Sequence, residues 1–346
     1  MIDYNPPVRL NLDGAALVSN WRFLQSQGTA ACGAAVKADG YGLGAREVVK
    51  RLRDAGCREF FVAHWAEAAA IADLVPPEQI AVLNGIAEND VKNCQAIGAI
   101  PVLNTPHQIA LWKAAGGGRC HVMVDTGINR LGIGPEQASP ELFDVLDIDI
   151  LMSHLASADE DTEQNSRQLA LFNQLSSALP AKRQSFANSA GIMLGTDYHF
   201  DLTRPGIGLY GGIERSEMSE GILPVLSVAS RILQVRRLGP GEPVGYGATH
   251  ICQTPTLLAT AALGYADGYL RSFATRGKVY AGEIELPVVG RISMDLITID
   301  ASACPELAEG DWVTLPYDLP VLAAQSGLSQ YELLTGLGSR FQRSWV

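Results

Sequence analysis

The 346-residue sequence has no surplus of positive charge, since 26 Lys and Arg stand against 37 Asp and Glu and the formal charge is −11. That balance argues against nucleic acid or an anionic membrane surface as the main partner. It leaves room for a phosphate-bearing ligand, which needs a few local donors rather than a basic protein. No uninterrupted apolar run approaches the ~18 residues of a membrane span. The opening stretch, MIDYNPPVRLNLDG, lacks the basic and then apolar run of a signal peptide. Paired CxxC spacings are missing too: Cys32, Cys57, Cys94, Cys120, Cys252 and Cys304 stand far apart. This pattern reads as reduced, buried thiols rather than a disulfide framework or a zinc site. Internal repeats and low-complexity tracts are also absent. The expectation is a soluble cytoplasmic protein without a metal.

What is present fits two domains. A chain of this length exceeds one ordinary core, and 47% hydrophobic with 18% charged residues is an ordinary globular balance. The first two-thirds alternates short apolar runs with helical patterns, the mark of parallel βα units. Expected strands are Ala30–Val36, Glu59–Val62, Ile80–Leu83, Ala99–Leu103, Cys120–Val124, Ile148–Met152, Gln184–Ala187 and one near Tyr198–Leu202. Expected helices are Ala45–Ala55, Trp65–Leu74, Pro106–Ala115 and Glu163–Ala178, with Thr105-Pro106 as N-cap and first helical proline. Eight such units suggest a (β/α)8 barrel, although a doubly wound sheet fits the same pattern. In a barrel, chemistry sits just after the strands, and Lys37, Arg130, His154, Ser189 and Arg204 all fall there. Beyond about Leu223 the texture turns β-rich, at Val225–Val235, Thr256–Leu263, Lys278–Val289 and Leu296–Asp300, before a short helix near Ser329–Leu337. The organisation expected is an α/β barrel domain over 11–222, with 1–10 and 223–346 forming a mostly-β domain.

The segment AVKADGYGLG, Ala35 to Gly44, carries the most chemistry. A lysine ending an apolar strand is costly to desolvate, and burial lowers its pKa toward that of a nucleophilic amine. Glycines nearby let backbone approach a bulky ligand, and Tyr41 could donate to a phosphate. A snorkelling strand-end lysine before a glycine-rich turn explains the same residues. Likewise Asp125 to Arg130 reads as a capped turn or as an arginine fork for a carboxylate. Arg204-Pro205-Gly206-Ile207-Gly208 is a plain turn or a backbone cradle for phosphate. His154 alone could be a core histidine, and Tyr246 alone a packing aromatic.

Taken in order, these motifs resemble one family. AVKADGYGLG is similar to the cofactor-lysine motif of alanine racemases. VDTGINRLG (124–132), SHLASAD (153–159), ANSAG (187–191), RPGIGLYG (204–211), VGYGATH (244–250), GYADGYLR (264–271) and SMDL (293–296) follow in the family's order over nearly the whole chain. The resemblance implies a racemase that interconverts L- and D-alanine, a peptidoglycan precursor in its D form. It implies pyridoxal 5'-phosphate held by Lys37 as an aldimine, and Lys37 and Tyr246 as the two acid–base groups. Tyr41, Ser189, Gly206 and Ile207 would hold the phosphate. Arg204 would face the pyridine nitrogen and His154 would link Arg204 to Tyr246.

Arg130 would take the phenolic oxygen and the substrate carboxylate, while Met294, Asp295 and Tyr265 would join Tyr246 from the second subunit of a homodimer. Two positions depart from the family. Met123 stands where many members carry a carbamylated lysine that steadies the arginine, and Ser339 lies about where some place a phosphate-contacting tyrosine. Alternatives from the residues are a racemase of broader preference, such as for serine, a decarboxylase of related architecture, and a non-catalytic pyridoxal-phosphate-binding barrel.

Overall fold

The computed structural model describes residues 5–346, which divide into two compact units, one of residues 16–223 and one of residues 5–15 with 224–346. The first unit is built on a parallel sheet. Its strands run in sheet order Phe60–Val62, Ile80–Val82, Ile100–Leu103, Arg119–Met123, Asp147–Met152, Arg183–Ser185 and Leu202–Thr203. The opening strand is split into Ala31–Cys32, paired with Leu202–Thr203, and Ala34–Ala35, paired with Phe60–Phe61. Both ends of the sheet thus meet in one short stretch of chain, which makes this the eight-stranded barrel expected from the pattern rather than an open sheet. The split falls at Gly33, where a Cβ would lie 2.9 Å from the Phe61 ring and 3.0 Å from the Glu59 carbonyl. Only glycine lets the strand pass between its two neighbours.

Several barrel strands are apolar throughout because both faces are covered, as in Phe60–Val62 and Ile80–Val82, buried at every position. The intervening helices bury one stripe. Ala45–Ala55 turns Ala45, Val48, Val49 and Leu52 inward, the i, i+3, i+4, i+7 spacing, and ends at Gly56 in a left-handed conformation. Pro106–Ala114 begins as the sequence indicates, with Thr105 accepting from the Gln108 N–H. The eighth strand lies at Leu202–Thr203; the expected start at Tyr198 falls instead in a 3-10 turn, Thr196–Tyr198. At the strands' N-terminal ends, Asp149 accepts from Arg119 (2.6 Å) and Arg183 (2.8 Å), and Arg183 also reaches Glu59 (2.5 Å). Burial raises the Asp149 pKa, but the two arginines outweigh it and hold the carboxyl at about 2. Buried His121 beside them is pushed down to about 3 by desolvation, against the pull of Asp149.

The second unit is a mostly antiparallel sheet. Its order is Thr256–Ala261, Ile297–Asp300, Ile284–Val289, Lys278–Ala281, Trp312–Pro316, Leu226–Leu238, Val8–Leu12 and Gln342–Trp345. Leu226–Leu238, 13 residues long, changes register between Ile232 and Gln234, which lets it pair along its second half with Thr256–Ala261. A small ribbon, Pro243–Val244 against His250–Ile251, carries the turn Tyr246–Ala248 at its tip. Helices Leu319–Ser326 and Gln330–Thr335 follow, the latter capped by Ser329. All six cysteines are free and buried, and burial raises the thiol pKa of Cys32, Cys57, Cys94 and Cys120 to about 12. Among the described residues no helix is long and apolar enough to cross a membrane, and no cluster of three His, Cys, Asp or Glu could hold a metal.

Candidate active site

In the barrel unit the site begins where the first strand ends. After Val36 the chain turns sharply: Ala38, Asp39, Gly40 and Tyr41 all have φ between 52° and 62°. A run of left-handed residues is costly for all but glycine, so it needs anchors. Glu67 is one, its Oε1 accepting from the Ala38 N–H and its Oε2 from the Ala63 N–H, both at 2.7 Å. Asp39 is another, accepting from the Ala45 N–H at 2.8 Å. The turn leaves Lys37 half-buried at the strand end, with no ion-pair partner among the described residues. Desolvation lowers its pKa, Arg130 and Arg204 press in the same direction, and Glu67 opposes them. Lys37 is thereby biased toward the neutral amine.

Next to Ala35, two residues before Lys37, lies an anion cradle. Ser189 opens the short helix Ser189–Ile192, and its Oγ accepts from the Gly206 N–H (2.9 Å) and the Gly208 N–H (3.1 Å). The Tyr41 hydroxyl closes in on Gly206 so tightly that a Cβ there would lie 2.2 Å from it. The Tyr41 ring stacks on Tyr210, centroids 4.6 Å apart, and the Tyr210 hydroxyl donates to the Ala35 carbonyl at 2.9 Å. Ile207, next in line, is fully buried. Two hydroxyls and two peptide N–H groups that otherwise turn to Ser189 Oγ, packed around a position only glycine can occupy, suit a phosphate.

Arg204 is buried and donates to Ser185 Oγ and, at 2.5 Å, to the Ser153 carbonyl. No carboxylate lies within ion-pair distance among the described residues, and burial lowers its pKa to about 10. It still carries its proton at neutral pH. His154 is driven to about 3, first by desolvation, then by Arg204, Arg130 and Lys37. Its imidazole is neutral, with one donating and one accepting nitrogen.

Arg130 is exposed and without an ion-pair partner among the described residues. Met123, buried at the strand end, offers it no charge. What fixes this loop instead is Asp125. Its Oδ1 accepts from the Gly127 and Asn129 N–H groups (2.7 and 3.1 Å) and its Oδ2 from the Arg130 N–H (3.1 Å). The base of the loop is closed by Asp125 N–H to Ile133 O and Ile133 N–H to Met123 O, both 2.9 Å. Gln168, buried on the helix Glu163–Ala178, ties this loop to the next by donating to Thr126 Oγ1 (3.2 Å) and to the His154 carbonyl (3.0 Å). Glu67, Asp125 and Gln168 were not singled out from the sequence. Asp125 carried the only usable signal, an Asx turn within its motif.

The other expected site residues lie in the second unit. Tyr246, 69% exposed, stands at the ribbon tip beside a groove of about 460 Å³ shared with Arg291, Ser293 and Leu296. Tyr265 and Met294–Asp295 are brought together by Tyr265 N–H to Ser293 O (3.1 Å) and Ala266 N–H to Met294 O (3.0 Å). Ser339 is exposed near the end of the chain.

Residues 12–214 match the alanine racemase N-terminal domain family and residues 225–345 the alanine racemase C-terminal domain family. A catabolic alanine racemase from Agrobacterium fabrum is 42% identical, the match covering 97% of this chain and 92% of that protein. An alanine racemase from Brucella suis is 39% identical, over 97% and 93%. The crystal structure of alanine racemase from Bartonella henselae, with covalently bound pyridoxal phosphate, superposes with a TM-score of 0.91 at 36% identity, covering 99% of this chain and 100% of that one. Biosynthetic alanine racemase from Pseudomonas aeruginosa superposes with a TM-score of 0.90 at 31% identity, again over 99% and 100%.

Proposed function

The chain belongs to the alanine racemase family, and from that premise we propose that it interconverts L- and D-alanine with pyridoxal 5'-phosphate as cofactor. The observation that carries the reading is one amine, Lys37, at a barrel strand end, its pKa lowered by burial and two arginines, beside the cradle of Tyr41, Ser189, Gly206 and Gly208. The donor set fits the cofactor: neutral hydroxyls and peptide N–H groups for a phosphate, an amine whose pKa burial lowers for an aldehyde, and a buried guanidinium for a ring nitrogen. Pyridoxal phosphate, when bound, supplies an electron-withdrawing ring that acidifies the Cα–H of an amino acid joined to it.

Tyr41, Ser189 and the Gly206–Ile207 turn bind the phosphate. Lys37 Nζ takes or returns the Cα proton on one face, a task suited to an amine whose proton is weakly held. Arg204 would face the ring nitrogen with a guanidinium that keeps its proton at working pH. Such a donor would leave that nitrogen neutral, which would limit charge delocalisation and favour return of the proton to Cα over loss of carboxylate or amine. Arg130 receives the substrate carboxylate.

Two copies of the chain assemble so that Tyr246 of the partner subunit serves the second face, with Tyr265, Met294 and Asp295 of the partner subunit narrowing the entrance. Neutral His154, close enough to Arg204 to feel its charge, would donate to the tyrosine oxygen and steady it each time it gives up its proton. The dimer and these roles rest on the family's ordered motifs.

The test is purified protein loaded with cofactor, offered L-alanine, D-alanine, L-serine and basic amino acids side by side. Alanine should racemise fastest, and borohydride should fix the cofactor covalently on Lys37, as peptide mapping reads. Tyr246→Phe should keep that attachment and lose at least about 10²-fold in turnover, the contribution expected of one general acid–base group. Unchanged racemisation in both directions would defeat the two-base assignment. A loaded protein that leaves alanine untouched would defeat the function.

A further inference from the structure

Three separate stretches of the second unit meet at one side chain, Arg340. Its Nε and Nη2 each donate to an oxygen of Asp267 at 2.9 Å, and its Nη1 donates to Asp295 Oδ1 at 2.6 Å. Asp267 is only 2% exposed, and its Oδ2 also accepts from the Gly264 N–H at 3.0 Å. Around this fork the chain is packed to the limit. A Cβ on Gly264 would lie 2.3 Å from the Met294 carbonyl, and one on Gly338 would lie 2.5 Å from the Ala266 carbonyl. The segments joined are those of Tyr265, of Met294–Asp295 and of Ser339, all placed by the proposed function or its motifs at or near the substrate pocket.

We infer that Arg340 is a positioning residue for the substrate entrance, its guanidinium locking the Tyr265 and Met294–Asp295 segments in one geometry and so setting how large an amino acid the mouth admits. This rests on the function proposed above. Magnitudes favour the fork over the single contact. The Arg340–Asp295 pair alone joins two side chains about half exposed, and such pairs contribute little. The bidentate grip on buried Asp267 is different, because a planar fork fixes direction and few rotamers are lost per bond. With Asp267 holding the guanidinium, Arg340 presents Nη1 to Asp295 at a fixed place, and the Asp295 carboxylate cannot swing into the opening. Lysine at 340 could neutralise Asp267 but, as a point charge, could not engage both its oxygens and Asp295 together.

The experiment uses full-length protein loaded with pyridoxal phosphate, as wild type, Arg340→Lys and Arg340→Met. Arg340→Lys should raise KM for L-alanine by roughly 10-fold while kcat stays within about 2-fold, the signature of lost substrate placement rather than lost chemistry. The ratio of kcat/KM for L-serine to that for L-alanine should rise, and the Tyr265 and Ala266 amides should exchange hydrogen faster. Should Arg340→Met fail to fold, Arg340→Lys carries the test alone. Unchanged KM, serine ratio and amide exchange in Arg340→Lys would overturn the inference, and so would a loss confined to kcat. Failure of the wild type to racemise alanine would instead strike the function, and the amide exchange would still decide whether Arg340 holds the two segments.

Discussion

Gly206→Ala tests the anion cradle at its tightest point. The added methyl would sit 2.2 Å from the Tyr41 hydroxyl oxygen, 3.0 Å from its Cζ and 3.6 Å from the Ala35 Cβ. An ordinary carbon–oxygen contact needs roughly 1 Å more than the first of these distances. Tyr41 cannot retreat easily, since its ring is buried and stacked on Tyr210, itself tied to the Ala35 carbonyl. The backbone at Gly206 is held from the other side by Ser189 Oγ. Overpacking of this kind costs about 1–3 kcal/mol. Tyr41→Phe removes the oxygen and leaves Cζ at 3.0 Å, a few tenths of an ångström from comfort. The Phe variant should therefore relieve most of the alanine's cost, and a double-mutant cycle should return a favourable coupling of about 1–2 kcal/mol.

The assay is denaturant unfolding of all four proteins together with pyridoxal-phosphate titration by absorbance. Gly206→Ala alone should weaken cofactor affinity by at least about 10-fold, because both the Tyr41 hydroxyl and the Gly206 N–H are displaced. Additive unfolding energies, or wild-type cofactor affinity in Gly206→Ala, would refute the geometry of the cradle.

Two further outcomes follow from the barrel's charges. His121 has a folded pKa near 3 against an ordinary 6.5, so the unfolded chain binds its proton first and stability falls as pH drops from 6.5 toward 3. At pH 5 this loss amounts to about 2 kcal/mol for a fully buried ring; chemical unfolding at pH 7 and pH 5 should show it, and His121→Asn should flatten the slope. Asp149→Ala, which strips Arg119 of its partner and Arg183 of one of two, should cost about 2–3 kcal/mol, less than for fully buried ions because both arginines are partly exposed. Asp147→Ala, which breaks only the exposed pair with Lys182, should cost less than about 1 kcal/mol; equal losses in the two variants would count against the network.

Elements whose burial follows a local period were legible in the sequence. The bounds of Ala45–Ala55 and Glu163–Ala178 are legible, the first from its apolar stripe and the glycines that flank it. The barrel's apolar strands were visible because parallel strands covered on both faces need no polar alternation. Helices Gly14–Gln25, Val91–Ile97 and Leu319–Ser326 and strands Trp312–Pro316 and Gln342–Trp345 were missed. The last shows why: Gln342-Arg343-Ser344-Trp345 has no apolar pattern of its own and is a strand only because Val8–Leu12 offers it a parallel edge.

The same division holds in the site. By itself the sequence determined the chemistry at each position, namely an amine at Lys37, a fixed cation at Arg204, hydroxyls at Tyr41, Ser189 and Tyr246, and a side-chain-free position at Gly206. It also determined the family, through the order of its motifs. Only the tertiary structure decided what those groups experience. Lys37 has its proton loosened by Arg130, 93 residues away along the chain, and by Arg204. The backbone that carries Arg130 is held by the Asp125 carboxylate, while Met123 brings its guanidinium no charge. Asp267, Asp295 and Arg340 meet in one fork although no spacing announces it. Residue type is a property of the chain, whereas desolvation and electrostatic coupling depend on distance in space, which folding alone sets.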